Sequence, residues 1–220
     1  MPDTVSKRVL ILGGGFAGLE VAQNLEKIFK QRDDVEITLV NQNNYLIFTS
    51  MLAEVVSSSI EATNIVIPLR ECLKKASFKE LIADSIDLGK KTVTFHRADT
   101  HELKTLEYDY LVLAMGSVTG FHGVEGAEEY SFPLKNLADA MELRSHVIDM
   151  FEMADLEEDH GVRRGLLTFT VVGGGYTGIE VAAELNDYVG ASRRFYRNVK
   201  SDEVKVVVID PGDRIMHEMS

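Results

Sequence analysis

Two stretches of this 220-residue chain carry almost the same thirteen residues. The first, 13–25, reads GGGFAGLEVAQNL, and the second, 173–185, reads GGGYTGIEVAAEL, so that eight positions are identical. The copies begin 160 residues apart, which is far longer than the repeat of a solenoid protein. The repetition therefore predicts two separate structural units of related design.

Each copy follows a short apolar run and opens a segment with helical periodicity. The first copy lies between the apolar runs 8–12 (RVLIL) and 35–40 (VEITLV), and the second between 168–172 (TFTVV) and 204–209 (VKVVVI). A strand, a glycine-rich turn, a helix and a second strand form a βαβ unit, whose strands are parallel. We therefore predict an α/β fold with parallel sheets.

The spacing of the glycines matches what a bound pyrophosphate requires. The first glycine of a G-x-G-x-x-G turn permits the tight turn, the second lets the backbone approach the phosphates, and the third lets the helix pack closely on the strand. The pyrophosphate then lies at the positive end of the helix dipole. One such motif could be only a tight turn, but two in matched contexts predict two Rossmann-like dinucleotide-binding units with three-layer sheets. The three positions are Gly13, Gly15 and Gly18 in the first copy, and Gly173, Gly175 and Gly178 in the second.

The residue that follows the second strand of each unit is the next test, because an acidic side chain there accepts hydrogen bonds from ribose hydroxyls. Asp210 stands at this position in the second unit and indicates a nicotinamide cofactor without a 2′-phosphate. The alternative is a turn aspartate before Pro211 and Gly212. The first unit has Asn41, which can still bond a ribose hydroxyl but carries no charge.

Composition excludes several classes of function. The chain has 23 Lys and Arg against 35 Asp and Glu, a net charge of −12, so we expect no nucleic-acid partner. The single cysteine, Cys72, excludes a CxxC redox pair, and we interpret it as a core residue rather than a nucleophile. No histidine has a partner at metal-ligand spacing, so we predict no metal site. No apolar run reaches the roughly 18 residues of a membrane span, and 1–7 is too short and polar for a signal peptide.

The pattern between the two copies is less regular. We predict an irregular segment at 41–59 in spite of its apolar side chains, and a charged loop at 156–164. Three glycines in 120–126 indicate a domain boundary, which divides 1–120 from 121–220. The other expected elements are a short helical segment within 64–75, strands at 78–87, 92–96, 102–106 and 110–114, and a helix at 136–154.

Three further stretches resemble the type II NADH dehydrogenases, which are single-subunit NADH:quinone oxidoreductases of the two-domain flavoprotein reductases. They are NQNNYLIFTSMLAEVVSSSIEATNIVIPLR after the second strand, YDYLVLAMGSVTGF before the boundary, and FPLKNLADAMELRSHV after it. The resemblance runs from Arg8 to Met219. It implies that 1–120 binds FAD, that 121–220 begins the NAD domain, and that hydride passes from NADH to FAD and electrons on to a quinone.

The resemblance also implies roles for single residues. Asn41 and Gln42 would hold the adenosine ribose of FAD, and Glu180 would be the catalytic residue beside the contact of nicotinamide and flavin. Glu20 occupies the same place in the first copy, so ordinary helix packing is the alternative for Glu180. Met115 replaces the usual Thr of an Ala-Thr-Gly stretch. The residues implied for FAD are Gly13, Gly14, Gly15, Phe16, Ala17, Gly18, Asn41, Gln42, Asn44, Thr49, Met51, Ala83, Ala114 and Gly116. Those implied for NADH are Gly173, Gly174, Gly175, Tyr176, Thr177, Gly178 and Asp210.

The second βαβ unit is expected to be incomplete, since a nucleotide domain needs more strands than 168–209 supplies. In the resembled family the chain returns to complete the FAD domain, and a C-terminal amphipathic region attaches it to the membrane. The resemblance thus implies a cytoplasmic, peripheral protein at the inner face of the cell membrane, and it allows a homodimer. Two alternatives to the enzyme stay open: a module that binds FAD or NAD without turnover, and a piece that needs a partner chain.

Overall fold

The computed structural model describes residues 7–200 and 202–216. The predicted absence of a signal peptide rests mostly on 1–6, which lie outside the described residues, as does Met219. The helices and strands are, in chain order, Lys7–Leu12 (β1), Phe16–Ile28 (α1), Val35–Asn41 (β2), Tyr45–Ile47 (β3), Leu52–Val56 (α2), Val66–Pro68 (β4), Leu69–Cys72 (α3), Ser77–Glu80 (β5), Ile82–Asp87 (β6), Thr92–His96 (β7), Leu103–Glu107 (β8), Tyr110–Leu113 (β9), Ala127–Tyr130 (α4), Leu137–Leu156 (α5), His160–Leu166 (α6), Thr168–Val172 (β10), Tyr176–Ser192 (α7) and Lys205–Ile209 (β11).

The chain divides into two compact units. The first comprises Met1–Ile47 and Val66–Val118, and the second comprises Phe48–Ile65 and Thr119–Ser220. The change of unit after Val118 lies close to the glycine-rich segment 120–126. Residues 48–65 group with the second unit, whereas the sequence placed them in the first domain.

The first unit has the three layers that the sequence predicts. Its central sheet is parallel, in the order β5-β2-β1-β9. One face packs against α1, where Leu19 and Ala22 are buried with Ile11 and Leu39 of the strands. The other face packs against the antiparallel sheet β6-β7-β8, through Phe95 and others. Because both faces are covered, β1 is a continuous buried apolar run from Val9 to Leu12, and Thr38 is buried along with the apolar residues of β2.

A buried hydroxyl in this unit gives a stability prediction. Tyr108 is 5% exposed in the core under β6–β8, and its hydroxyl is buried with no hydrogen-bond partner among the described residues. An unsatisfied buried polar group destabilises by about 1–3 kcal/mol, so Tyr108→Phe is expected to raise the free energy of unfolding by about 1 kcal/mol. Urea unfolding measures this, with Tyr110→Phe, at a 59% exposed position, as the neutral control. A loss of stability in Tyr108→Phe alone would contradict the assignment.

The second unit contains the second βαβ motif. Strands β10 and β11 are parallel and register Thr168 against Lys205, with α7 between them in the chain. Helix α5 begins at a capping box in which Asn136 and Asp139 bond each other's backbone N–H groups. Its buried side includes Phe151, whose ring stacks 6.0 Å from that of Phe169 on β10.

Several predicted elements are correct, and four segments differ. The predicted loop 156–164 is wrong, because α5 continues to Leu156 and Asp159 caps α6 by accepting from the N–H groups of Gly161 and Val162. The predicted strand 78–87 is two strands. Leu81 separates them, with its N–H donating to the carbonyl of Asn41, so that β5 joins the parallel sheet and β6 the antiparallel one.

The prediction of an irregular segment at 41–59 is wrong, because most of this segment has regular secondary structure. Residues 45–47 form β3, which pairs antiparallel with β4. Residues 49–51 form a 3₁₀ turn, and α2 follows with Leu52, Ala53, Val55 and Val56 buried. The helix expected within 64–75 is reduced to α3. Residues 66–68 belong to β4, and the backbone N–H groups of 74–76 donate to the carboxylate of Glu26 instead of continuing a helix. Among the described helices, none is long and apolar enough to cross a membrane.

Candidate functional site

The two glycine turns have the same geometry. Gly13 has φ +105° and donates its N–H to the carbonyl of Val40 at 2.8 Å. Gly173 has φ +110° and donates its N–H to the carbonyl of Ile209, also at 2.8 Å. A positive φ is the conformation that glycine adopts without steric strain. The first glycine of each motif therefore makes the turn that the sequence predicts.

The third glycine of each motif lies against the backbone of the first. A Cβ placed on Gly18 would be 1.8 Å from the carbonyl oxygen of Gly13, and one on Gly178 would be 1.9 Å from that of Gly173. No side chain fits at such distances. The helix can approach its strand only because these positions carry hydrogen alone.

The middle glycine of the first motif faces open space, as a phosphate site requires. A Cβ on Gly15 would have no atom within 4 Å, and Gly15, Phe16 and Ala17 are exposed between the buried Gly14 and Gly18. Gly15 is the N-cap of α1, has no side chain to satisfy the first N–H groups, and is followed by no acidic residue in the first turn. This helix terminus fits an anion such as the pyrophosphate of FAD. The first turn of α7 likewise carries no acid.

Asn41, the last residue of β2, and Asp210, which follows β11, each bond the second glycine of their turn. Asn41 Oδ1 accepts the N–H of Gly14 at 2.9 Å, and Asp210 Oδ2 accepts the N–H of Gly174 at 2.6 Å. Asp210 Oδ1 also accepts the N–H of Gly212 at 2.7 Å. This bond belongs to the turn at Pro211 and Gly212 that the sequence offered as the alternative role of Asp210. Both residues thus fix the turn. Their contacts with ribose stay predictions.

A pocket of about 300 Å³ lies within the second unit. One wall is the N-terminal part of α7, with Tyr176, Thr177 and Glu180, and the other includes Thr49 and the start of α2. Glu180 is exposed, as is Thr49. The remaining lining residues are Ser50, Leu52, Ala53, Leu134 and Lys135. The carboxylate of Glu180 and the hydroxyls of this pocket could orient an amide or a polar ring.

The family model for pyridine nucleotide-disulphide oxidoreductases matches residues 7–220. The chain belongs to this family. The external alternative NAD(P)H-ubiquinone oxidoreductase B1 of potato mitochondria, from Solanum tuberosum, is 36% identical over 229 residues, which cover 98% of this chain and 38% of the relative. The type II NADH:quinone oxidoreductase Ndh of Mycobacterium tuberculosis is 31% identical over 216 residues. The match covers 96% of this chain and 45% of the relative.

The solved structure of NDH2 from Plasmodium falciparum in complex with NADH has the same fold. The TM-score is 0.89 at 24% identity, and the match covers 98% of this chain and 44% of that protein. The sequence relatives confirm the resemblance to type II NADH dehydrogenases, and this structure shows the shared fold. The chain spans less than half the length of these relatives.

This member of the family has one cysteine, so it cannot form a redox disulphide within the chain. Cys72 is partly buried against the core of the first unit, and its Sγ lies 3.6 Å from the carbonyl of Pro68. Burial raises the pKa of the Cys72 thiol, and the charge of Glu71 raises it further. A thiol with a raised pKa is a poor nucleophile, in agreement with a core residue. Among residues 7–200 and 202–216, no group of three or more His, Cys, Asp or Glu could hold a metal ion.

The other residues implied for FAD lie in several places on the chain. Gln42, Asn44 and Met51 are exposed, and Met51 is not among the pocket-lining residues. Ala83 is on β6, opposite Phe95 of β7. In the glycine turn of the first unit, a Cβ on Gly13 would lie 2.1 Å from the carbonyl oxygen of Ala114, which places the Ala114 backbone directly against the turn. Gly116 has φ +71°, a left-handed conformation that suits glycine.

Several polar residues of the second unit were not predicted from the sequence. Lys135 lines the pocket, and Ser57, Ser59 and Glu184 form a hydrogen-bonded set in the same unit. The available signal was weak. Glu184 follows Glu180 by four residues on a predicted helix, so the two share a face, but the serines that bond it are more than a hundred residues away.

Proposed function

We propose that this chain is the FAD- and NADH-binding part of a type II NADH dehydrogenase, which oxidises NADH and reduces a quinone. The observation that carries the proposal is the doubled turn: two glycine motifs with the same hydrogen bonds, the same positive φ and the same close contact, in a chain similar to enzymes of this name. When bound, FAD would supply the redox chemistry, accepting a hydride from NADH and passing two electrons to a quinone.

The residues of the first turn would hold the FAD pyrophosphate on the exposed N-terminus of α1. Asn41 would hold the glycine turn and offer its remaining amide proton and lone pair to the ribose. Gly116, with Ala114 packed on the turn, would lie along the cofactor. These residues bind and orient, and the buried strands behind them keep water from one side of the site.

The second turn would hold NADH. The carboxylate of Asp210 lies at the end of β11, and its negative charge opposes the 2′-phosphate of NADPH, so we expect a preference for NADH. Glu180 would orient the nicotinamide in the pocket with Thr177 and Thr49. Orienting the two reacting rings is the main contribution a protein makes to hydride transfer.

The whole protein would act at a membrane surface, because its substrate quinone is apolar. Some relatives are named as mitochondrial and one is bacterial. We propose that the whole protein is peripheral, on the cytoplasmic side of the cell membrane, and that the part of the relatives' length not matched by this chain attaches it. We also propose that it is a homodimer.

The visible spectrum of the purified chain, after incubation with FAD and desalting, tests the proposal. We expect retained flavin bands that bleach when NADH is added without oxygen. Retained flavin that NADH does not bleach would instead support a binding module without turnover. A chain that is folded by circular dichroism and retains no flavin would contradict FAD binding by this part of the protein.

A further inference from the structure

Three polar side chains connect α2 with α7 inside the second unit. Ser57 Oγ lies 2.5 Å from Glu184 Oε2, and Ser59 Oγ donates to the same oxygen at 3.1 Å. The two serine hydroxyls are 2.8 Å apart, and Ser57 is only 6% exposed. A carboxylate that accepts two hydroxyls makes hydrogen bonds stronger than neutral ones. We call Ser57, Ser59 and Glu184 the serine–glutamate set.

The set lies one helical turn from the pocket. Glu184 and Glu180 are four residues apart on α7 and so share a face of the helix. Leu52 and Ala53, on α2 just before the serines, line the pocket opposite Tyr176, Thr177 and Glu180. The bonds between the set's members therefore join the two helices that form the pocket's opposite walls.

Comparison of the two repeats shows that the helix itself does not need this acid. The position of Glu184 in the second copy is occupied by Asn24 in the first. Asn24 bonds only within α1, where its amide donates to the side chain and the carbonyl of Glu20. Glu184 instead bonds a segment 125 residues or more away in the sequence.

We propose that the serine–glutamate set consists of positioning residues for the nicotinamide half of the NADH site. By fixing α2 against α7, the set fixes the separation of Thr49 and Ser50 from Thr177 and Glu180 across the pocket. The hydrogen bonds of the set, among the described residues, join α2 and α7 and do not include Gly173, Gly174 or Gly175 of the glycine turn, so we expect the set to act on the nicotinamide half rather than on the adenylate half. This inference rests on the proposed function, which assigns NADH to the second unit.

The test compares the affinities of the full 220-residue chain for NADH and for ADP-ribose, which lacks the nicotinamide. We expect Glu184→Ala to weaken NADH binding by about tenfold, because the pocket walls are no longer held at the separation that suits the nicotinamide, and to leave ADP-ribose binding within about twofold. Glu184→Gln keeps an accepting oxygen, so it should recover most of the NADH affinity. Asn24→Ala, at the same position of the first repeat, should change neither affinity.

If Glu184→Ala lowered the affinities for NADH and ADP-ribose equally, the effect would be a general one on the fold, and the proposal would be overturned. An unchanged affinity for NADH would overturn it as well. Hydrogen exchange of the α2 amides gives a second readout without any ligand. We expect Glu184→Ala to speed exchange at 52–57 and leave β10 unchanged, and unchanged exchange at 52–57 would contradict the proposal. If the unmodified chain binds ADP-ribose but not NADH, or binds neither, the proposed function is contradicted. The hydrogen-exchange rates at 52–57 then decide whether the set fixes α2 against α7.

Discussion

Replacing Gly18 with alanine is expected to remove most of the stability of the first unit. The added Cβ would lie 1.8 Å from the carbonyl oxygen and 3.0 Å from the carbonyl carbon of Gly13. Both are backbone atoms of a turn that Gly13 N–H and Ala114 hold in place, so neither can move without breaking the junction of β1 and α1. We expect a loss of about 4 kcal/mol or more, a large part of the 5–15 kcal/mol of a typical domain.

Gly15→Ala is the matched control, because the same methyl group is added three residues earlier in the same turn. Its Cβ would meet no atom within 4 Å, and Gly15 has φ −75°, which alanine adopts freely. Alanine is a poorer N-cap than glycine, so we expect a loss of stability of no more than about 1 kcal/mol. The methyl group would occupy the space into which the pyrophosphate must come. We therefore expect a folded protein whose affinity for FAD falls by about tenfold or more.

Thermal unfolding followed by circular dichroism and flavin retained after desalting measure the two effects separately. The expected pattern is an unfolded or aggregated Gly18→Ala protein and a folded, flavin-poor Gly15→Ala protein. A Gly18→Ala protein as stable as the unmodified chain would refute the close contact of helix and strand. A Gly15→Ala protein that retains flavin normally would show that the FAD phosphates do not approach this residue.

The glycine turns were predictable because the residues that set their backbone shape and close packing are local. The apolar run before each turn, the three glycines and the small residues on the first helical face lie within about twenty residues of each other. Such patterns specify a buried parallel strand and a close helix without information from the rest of the chain. The structure shows the predicted roles of Gly13, Gly18, Gly173 and Gly178 as distances and dihedral angles.

The segment 48–65 could not be predicted in the same way. Helix α2 is only five residues long, and isolated helices of this length are unstable in water. It exists because Leu52, Ala53, Val55 and Val56 are buried and because Ser57 bonds Glu184 far along the chain. A five-residue segment with four apolar residues gives no sign of such distant partners. The same reasoning covers Asn41 and Asp210, whose bonds to the glycine N–H groups are visible only in the folded turn.

A buried carboxylate on α1 gives the second large effect. Glu26 is 8% exposed, and one oxygen, Oε1, accepts the N–H groups of Lys74, Lys75 and Ala76 at 2.8, 2.6 and 2.6 Å. These bonds draw the backbone away from a helical path after Cys72, which explains why α3 is so short. They also hold the segment that leads into β5 against α1.

Glu26→Ala would leave three backbone donors without their acceptor, two of them at residues with exposed side chains where water can replace part of the loss. Hydrogen bonds to charged groups contribute about 1.5–3 kcal/mol each, and the partial hydration reduces the total, so we expect a loss of about 2–4 kcal/mol. Glu26→Gln keeps an accepting oxygen without the charge and should lose about half as much. Glu20→Ala, on the exposed side of the same helix, is the control and should stay within about 0.5 kcal/mol.

The pH dependence of stability tests whether the charge of Glu26 is what matters. Burial of the carboxyl group would raise its pKa, but the bonds from the N–H groups of Ala76, Lys75 and Lys74 together outweigh burial and lower the pKa below its ordinary 4.5. A lowered pKa in the folded state means that the carboxylate stabilises the fold fully above pH 4.5 and loses this effect as the pH falls through the folded-state pKa. In urea unfolding, the difference in stability between the unmodified chain and Glu26→Ala should therefore be constant from pH 7 down to about 5 and shrink at lower pH. A difference that stays constant below pH 4 would show that the neutral acid holds the three N–H groups equally well, and that packing rather than charge makes Glu26 necessary.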